Sequence, residues 1–468
     1  MEEDHRIERD SLGEVAVPVD AYWGAQTQRA VENFPISGLT FDRRFIAALG
    51  LVKQSAARAN RDLDLLDETV ADAIEEAAAE VIAGEHDDQF PVDIFQTGSG
   101  TSSNMNANEV IANRAAELLG EPIGSKAVHP NDHVNFGQSS NDVIPTAMHI
   151  AARLAIDRDV IPALEGLAAS LESKAAAFDD VVKTGRTHLQ DATPVRLGQE
   201  FAGYQAQIDL AIDRVDTAGA GLYELAIGGT ATGTGLNTHP SFSERVCAYV
   251  EQETQLPFRE AGDHFEAQAA HDAMGHAHAG LRTAAGALNK MANDLRLLAS
   301  GPRNGLGEIE QPENQPGSSI MPGKINPVIA EAVNQVHKQI LGNDTAMAVG
   351  ASRGELELNL YKPLLAHNFL ESARLLSNTA SVFEQRFIDG LDANRAHCAE
   401  QVEQSMALAT ALNPHIGYDK AADAAKTALK EGKTVRAVAI EKGYVTAEEA
   451  ETILDAYAMT EPGILGDE

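Results

Sequence analysis

The 468-residue chain has little cysteine, little lysine and no long apolar run, and each shortage removes a class of function. Two cysteines, Cys247 and Cys398, are too few and too far apart for a disulfide framework or a zinc ribbon. Their thiolates alone cannot hold an iron–sulfur cluster. Thirteen lysines and 23 arginines face 70 acidic residues, which leaves a formal net charge of -34. A nucleic acid requires a clustered basic face, and the basic residues here are few and scattered, so no nucleic-acid partner is expected. An anionic membrane surface is disfavoured on the same ground. No run of about 18 uncharged apolar residues occurs, so no helix is expected to span a bilayer. The N-terminal Met-Glu-Glu-Asp-His-Arg lacks the basic and apolar regions of a secretory leader. The expected location is a reducing cytoplasm.

What is present is an ordinary interior under an acidic surface. The hydrophobic fraction of 44% is that of a globular chain, so the acidity does not signal disorder. An acidic, lysine-poor surface stays hydrated in strong salt, where the Debye length shrinks to about 3 Å at 1 M and self-repulsion is screened. Salt adaptation is the expectation; an ordinary acidic cytosolic enzyme is the alternative.

Helical periodicity dominates. Met274, Ala277, Leu281, Ala284, Leu288, Met291, Leu295 and Leu298 recur at alternating spacings of three and four, a seam that packs long helices into a bundle. Val160, Leu164, Leu167, Leu171, Ala175 and Phe178 form a second seam, with Pro162 kinking or opening its first turn. The proline-free stretch from Glu266 to Ser300 predicts one helix of about 50 Å at 1.5 Å per residue. Alanine-rich faces permit close approach but bury little area alone, which favours packing against other copies over a bundle within one chain. The fold class expected is mainly α, in three parts. These are an N-terminal part over 1–138, a central long-helix bundle over 139–395 and a small C-terminal helical part over 396–468.

Turn-forming and polar residues gather at Gln96–Asn108, His129–Asn141, Gly228–Asn237 and Gln311–Pro327, where binding groups usually sit. The densest of these reads Gly317-Ser318-Ser319-Ile320-Met321-Pro322-Gly323-Lys324-Ile325-Asn326-Pro327. It is not a phosphate-binding P-loop: its glycines are spaced one residue too widely, and Ile325 stands where Ser or Thr should meet magnesium. Two hydroxyls, an ammonium and a carboxamide within one loop suit a small carboxylate substrate.

That segment resembles the signature of the fumarase/aspartase superfamily, and other motifs match in family order. They are Thr97-Gly98-Ser99-Gly100-Thr101 with Asn104-Met105-Asn106, then His129-Pro130-Asn131-Asp132 with Ser139-Ser140-Asn141-Asp142. Gly185-Arg186-Thr187-His188-Leu189-Gln190-Asp191-Ala192 and Leu412-Asn413-Pro414-His415-Ile416-Gly417-Tyr418 follow. The matches extend over almost the whole chain, and the details resemble the class II fumarases most. Aspartases typically carry Thr at the position of Ser140 and Gln at that of His188. An imidazole is the side chain best poised to exchange protons with water near neutral pH.

The resemblance implies reversible, stereospecific hydration of fumarate to (S)-malate in the citric acid cycle, by a homotetramer whose active sites are shared between subunits, with no metal and no cofactor. Ser318 corresponds to the family's base for the carbon-bound proton. Lys324 and Asn326 would stabilise the aci-carboxylate, and His188, oriented by Glu331, would handle the hydroxyl through a water. Ser99, Thr101, Ser139, Ser140, Asn141, Thr187 and Ser319 would hold the substrate with Lys324 and Asn326. His129, Asn131 and Asp132 align with a second anion site. Two alternatives remain: an aspartase-like ammonia-lyase, which Gln at 188 would have favoured, and a non-catalytic structural relative, against which the joint presence of Ser318, His188, Lys324 and Asn326 counts.

Three further features invite other readings. His271, His276 and His278 are spaced so that all three do not share one helical face, and plain helix histidines are expected over a metal site. The glycine-rich Gly228–Gly235 lacks a preceding strand and dinucleotide spacing, so a turn between helices is expected. The Glu75–Glu80 run is expected to be a solvated helix face.

Overall fold

The apolar seams become buried helix faces. In the computed structural model, which describes residues 5–466, all eight residues of the first seam lie on the helix Asp272–Leu298 and none exceeds 7% exposure. Residues 1–4, on which the expectation of no secretory leader partly rests, lie outside the described residues. The single helix expected from Glu266 to Ser300 is interrupted. His264–Ala269 is a separate short helix capped by Asp263, and Ala270 is extended (φ -108, ψ 144) before the long helix begins. Alanines at 269 and 270 favour helix, so the break is imposed by tertiary packing, which buries His271 to 1% exposure. In the second seam Val160, Leu164, Leu167, Leu171 and Phe178 are buried, and Ala175 is half-buried. Pro162 lies inside a helical run unbroken from Ser140 to Ala177, and the turn Ile156–Val160 just before it widens to π geometry, which accommodates the ring and the missing N–H.

Spatial proximity divides the chain into two compact units, one of residues 1–162, 213–285 and 338–377, the other of residues 163–212, 286–337 and 378–468. In the first unit the helix Arg43–Asp62 buries fourteen of its twenty residues. It packs against Glu68–Ala83, Ser140–Ala155 and Phe242–Thr254. Asp42 caps its start by accepting the Arg44 N–H, and Asp67 caps the next helix through Thr69 and Val70. The Glu75–Glu80 face is not simply solvated: Glu75 pairs with Arg58 and Arg61, and Glu80 pairs with Arg114 and His86. The Arg114 guanidinium holds the Glu80 carboxyl below its usual range. Arginines arriving from neighbouring helices make the difference, which a run of glutamates does not announce.

The helices Val328–Ala351 and Lys362–Phe383 join Asp272–Leu298 through His278, whose ring nitrogens lie 2.9 Å from Asp344 Oδ1 and 2.9 Å from Ser372 Oγ. Of the three clustered histidines, His271 and His278 are buried and His276 is exposed. Among the described residues no group of three or more His, Cys, Asp or Glu side chains is placed to hold a metal ion.

In the second unit, the strands Val182–Thr187 and Gln190–Arg196 form an antiparallel hairpin. Beneath it Lys183 (1% exposed) and Arg186 converge on the fully buried Glu308 at 3.1 and 2.5 Å, and Lys183 also meets Glu200 at 2.9 Å. The C-terminal segment has its own core, in which Val402, Leu408, Leu412, Ala424, Val435 and Leu454 take part. Cys247 and Cys398 are unpaired and buried, and burial pushes their thiols up to about 12 and about 11. Among the described residues the strands make four two-stranded sheets, and no helix is long and apolar enough to cross a membrane.

Candidate functional site

Two helix N-termini meet in the first unit. Thr101 opens the helix Thr101–Leu118 and Ser140 opens Ser140–Ala155. Their hydroxyls lie 2.7 Å apart, and Ser99 Oγ lies 2.7 Å from Thr101 Oγ1, so three hydroxyls form one chain. The entry to the first helix turns through Gly100 at φ +79, where a Cβ would also come within 2.9 Å of Ile144. The second start carries a capping box: Ser139 Oγ accepts the Asn141 N–H, and Asp142 accepts the Ser139 N–H. Helix N-termini present free N–H groups and partial positive charge, so this cluster suits a carboxylate. Asn141 is half-buried, and its Nδ2 donates to the Ala231 carbonyl at 2.7 Å.

Behind these residues lies a charged layer that the sequence reading missed. Asp142 is fully buried; its Oδ1 accepts from Ser139 N at 2.9 Å, and its Oδ2 from Gly228 N at 3.0 Å and Thr230 N at 2.9 Å. The glycine-rich segment is thus a turn, as expected, and one anchored to the helix start. Lys53, fully buried, donates to Asn135 Oδ1 and Gln138 Oε1, each at 2.9 Å. Lys362, also fully buried, donates to the Asn141 carbonyl at 3.0 Å. Only the burial of the polar Ser-Ser-Asn-Asp helix start could have hinted at them, and burial is not readable from composition.

The second unit holds Thr187, His188, the 317–327 loop and Glu331. Thr187 pairs with Gln190, leaving His188 and Leu189 as a two-residue turn with φ +56 and +61. Both left-handed positions of such a turn favour Asn or Gly, so the imidazole is held exposed at the hairpin apex at a conformational cost. In the 317–327 loop, Gly317 N donates to the Lys324 carbonyl at 2.9 Å and Asn326 Nδ2 to the Gly317 carbonyl at 2.6 Å. A Cβ on Gly317 would meet the Lys324 carbonyl at 2.2 Å, so only glycine permits this closure. Ser318 Oγ accepts the N–H groups of Ile320 and Met321 at 3.2 and 3.0 Å. Ser319 and Lys324 are exposed, and Glu331 sits half-buried in the first turn of Val328–Ala351.

His129, Asn131 and Asp132 lie around the turn Pro130–Val134 in the first unit. His129 Nδ1 faces the N–H groups of Asn131 and Asp132 at 3.3 and 3.1 Å and the Asp132 carboxylate at 3.3 Å. His129 and Asn131 line a cavity of about 480 Å³ together with Lys126, Arg9 and Glu109.

A lyase family model matches residues 13–342, and a model of the fumarase C C-terminus matches residues 408–461. The chain is 70% identical over 469 residues to the class II fumarate hydratase of the halophile Halobacterium salinarum, with all of both chains covered. It is 56% identical to that of Nitrosomonas europaea, covering 98% of this chain and 99% of the relative. The crystal structure of class II fumarase from Schistosoma mansoni superposes with a TM-score of 0.95 at 41% identity, over 98% of this chain and 99% of that one. The chain belongs to the class II fumarate hydratase family of lyases.

Proposed function

We propose that the chain catalyses the reversible, stereospecific hydration of fumarate to (S)-malate. The observation that carries this reading is the 70% identity, over the full length of both chains, to a protein named fumarate hydratase class II. His188, at the apex of its hairpin, is the proton carrier that hydration requires and that ammonia loss does not.

Removing the C3 proton of malate builds a second negative charge on the adjacent carboxylate, so catalysis rests on stabilising that charge as it develops. Ser318 takes the proton, aided by the two amides that donate to its oxygen. Lys324 and Asn326 stabilise the aci-carboxylate. In this conformation Asn326 Nδ2 is committed to the Gly317 carbonyl, so loop closure exchanges that bond for one to substrate. His188, oriented by Glu331, delivers a proton to the departing hydroxyl through a water. Ser99, Thr101, Ser139, Ser140, Asn141, Thr187 and Ser319 hold the carboxylates, and the turn with His129, Asn131 and Asp132 is the second anion site.

The carboxylate-holding hydroxyls and the acid–base residues belong to segments far apart in sequence, and we assign their convergence to a homotetramer in which different subunits complete each site. Exposed Leu210, Leu297, Leu341 and Val349 on the long helices support a further layer of helix packing. Along the chain the three-part division 1–138, 139–395 and 396–468 is retained as a proposal, as are a cytoplasmic location and independence from metal and cofactor. Loss of fumarate ultraviolet absorbance, followed with and without ammonium, tests the function. Hydration without ammonium is expected; turnover only with ammonium would overturn it. Light scattering that returned a monomer would overturn the assembly.

A further inference from the structure

The Ser139-Ser140-Asn141 turn is gripped from behind at both ends by buried ammonium groups. Lys53 donates to the side chain of Gln138, immediately before the turn, and to Asn135, which also accepts from Asn104 and Asn108 at 3.2 Å each. Lys362 donates to the carbonyl of Asn141, the turn's last residue. Asp142 completes the arrangement by accepting three backbone N–H groups, from Ser139, Gly228 and Thr230. All three charged side chains are fully buried. When both lysines are protonated, two ammoniums outnumber one carboxylate beneath a helix start whose free N–H groups already favour an anion. Burying charge without direct pairing costs stability, and no ion pair joins either lysine to Asp142 within hydrogen-bonding reach, so stability alone does not explain the arrangement.

We propose that Lys53 and Lys362, with Asp142 as their fixed counter-charge, are positioning residues. They hold the Ser139–Asn141 turn and lend it the positive potential that selects a dianionic dicarboxylate over a monoanionic one. The proposal rests on the fumarate-hydrating function assigned above. Burial holds both ammonium groups down to about 7, against the opposing pull of Asp142. The groups facing Lys362 are Asp142, from its own turn, and His271, which precedes the helix Asp272–Leu298; His149 stands beside His271. Burial lowers both imidazoles, so neither competes as a cation at neutral pH. A bound dianion draws a proton onto the lysines.

The test is Lys362→Met in the full-length enzyme, assayed by fumarate absorbance from pH 6.5 to 8.5. The KM for fumarate should rise about tenfold to a hundredfold while kcat changes less than about threefold. Lys362→Arg should recover part of the affinity. The wild-type KM should rise above pH 7, and that rise should flatten in Lys362→Met. Succinate should lose its advantage over its monomethyl ester as a competitive inhibitor of the same variant. An unchanged KM in a folded Lys362→Met enzyme, or equal losses for succinate and its ester, would overturn the proposal. A wild-type measurement keeps it testable if the variant does not fold. Calorimetry of succinate binding near pH 7.5, in buffers of differing ionisation enthalpy, should show net proton uptake, and none would overturn the proposal. Failure of the functional assignment looks different, because the wild type would then not hydrate fumarate at all.

Discussion

Ser318→Ala separates binding from chemistry, and the loop geometry sets the scale. Ser318 Oγ accepts two backbone N–H groups, from Ile320 at 3.2 Å and Met321 at 3.0 Å. A hydrogen bond contributes about 1.5–3 kcal/mol to a charged group against about 0.5–1.5 kcal/mol to a neutral one, so the pair favours the alkoxide over the hydroxyl by about 2–3 kcal/mol. At 1.36 kcal/mol per unit that lowers the hydroxyl pKa by about 2 units. Such a shift leaves a serine well short of neutral pH, and the exposed Lys324 ammonium must supply the remainder when the loop closes. Removing the hydroxyl leaves the amides of exposed Ile320 and Met321 to water, so stability should shift by no more than about 0.5 kcal/mol. Turnover should fall about 10²–10⁴-fold. The KM should stay within a few fold, because Ser99, Thr101, Ser140 and Asn141 are untouched. Ser318→Cys, whose thiol ordinarily ionises near about 8.5, should restore part of the rate with an altered pH profile. The assay is fumarate absorbance beside a thermal melt. Near-normal turnover by a folded Ser318→Ala enzyme would refute the assignment.

Leu281 is fully buried at the middle of the Asp272–Leu298 seam, so Leu281→Ala should cost about 2–5 kcal/mol, read as an earlier urea midpoint; a shift under about 1 kcal/mol would mean the seam is not core. Stability should fall as pH drops below about 6.5, because the unfolded chain binds protons that buried His271 refuses. The folded pKa lies below the unfolded one, so this contribution is complete above about 6.5 and declines by up to about 1.4 kcal/mol per pH unit below it. His271→Leu should flatten that slope in urea titrations from pH 7.5 to 5.5, and an unchanged slope would count against it. Raising KCl should raise the melting temperature and lower the KM for fumarate, since salt screens the acidic surface; a melting temperature indifferent to KCl would remove the case for salt adaptation.

Much of this molecule was legible in its sequence because the same residues encode the helix and the seam. All eight predicted positions from Met274 to Leu298 are buried, since a helix with one apolar stripe has one way to hide it. The break at Ala270 was not legible. Its alanines favour helix, and what opposes them is the burial of His271 by distant chain. In the candidate site the exposed polar residues announced themselves, because hydroxyls, carboxamides and glycines crowd into loops that packing alone would not require. Lys53 and Lys362 did not. Lys53 stands within a helix and Lys362 opens one, places where a lysine reads as solvated, and only the fold turns each inward. Asp142 was visible as part of a motif, but its task of fastening the Gly228–Thr230 backbone depends on a segment 86 residues away.

A net charge of -34 opposes a dianionic substrate at long range, and the resolution lies in where charges sit relative to water. Surface carboxylates act through solvent of high dielectric and are screened within about 8 Å at physiological ionic strength, so their opposition fades before a ligand reaches the interior. Lys53 and Lys362 act without intervening solvent, fully buried behind the hydroxyls of Ser139 and Ser140. The positive charge that a bound dianion draws onto these lysines acts at closer range and lower dielectric than the many negative charges at the surface. The two populations of charge then answer to different demands, solubility outside and recognition inside. The cost of burial explains the economy of the inner set: two lysines are held by three polar atoms of one short segment and balanced by a single aspartate.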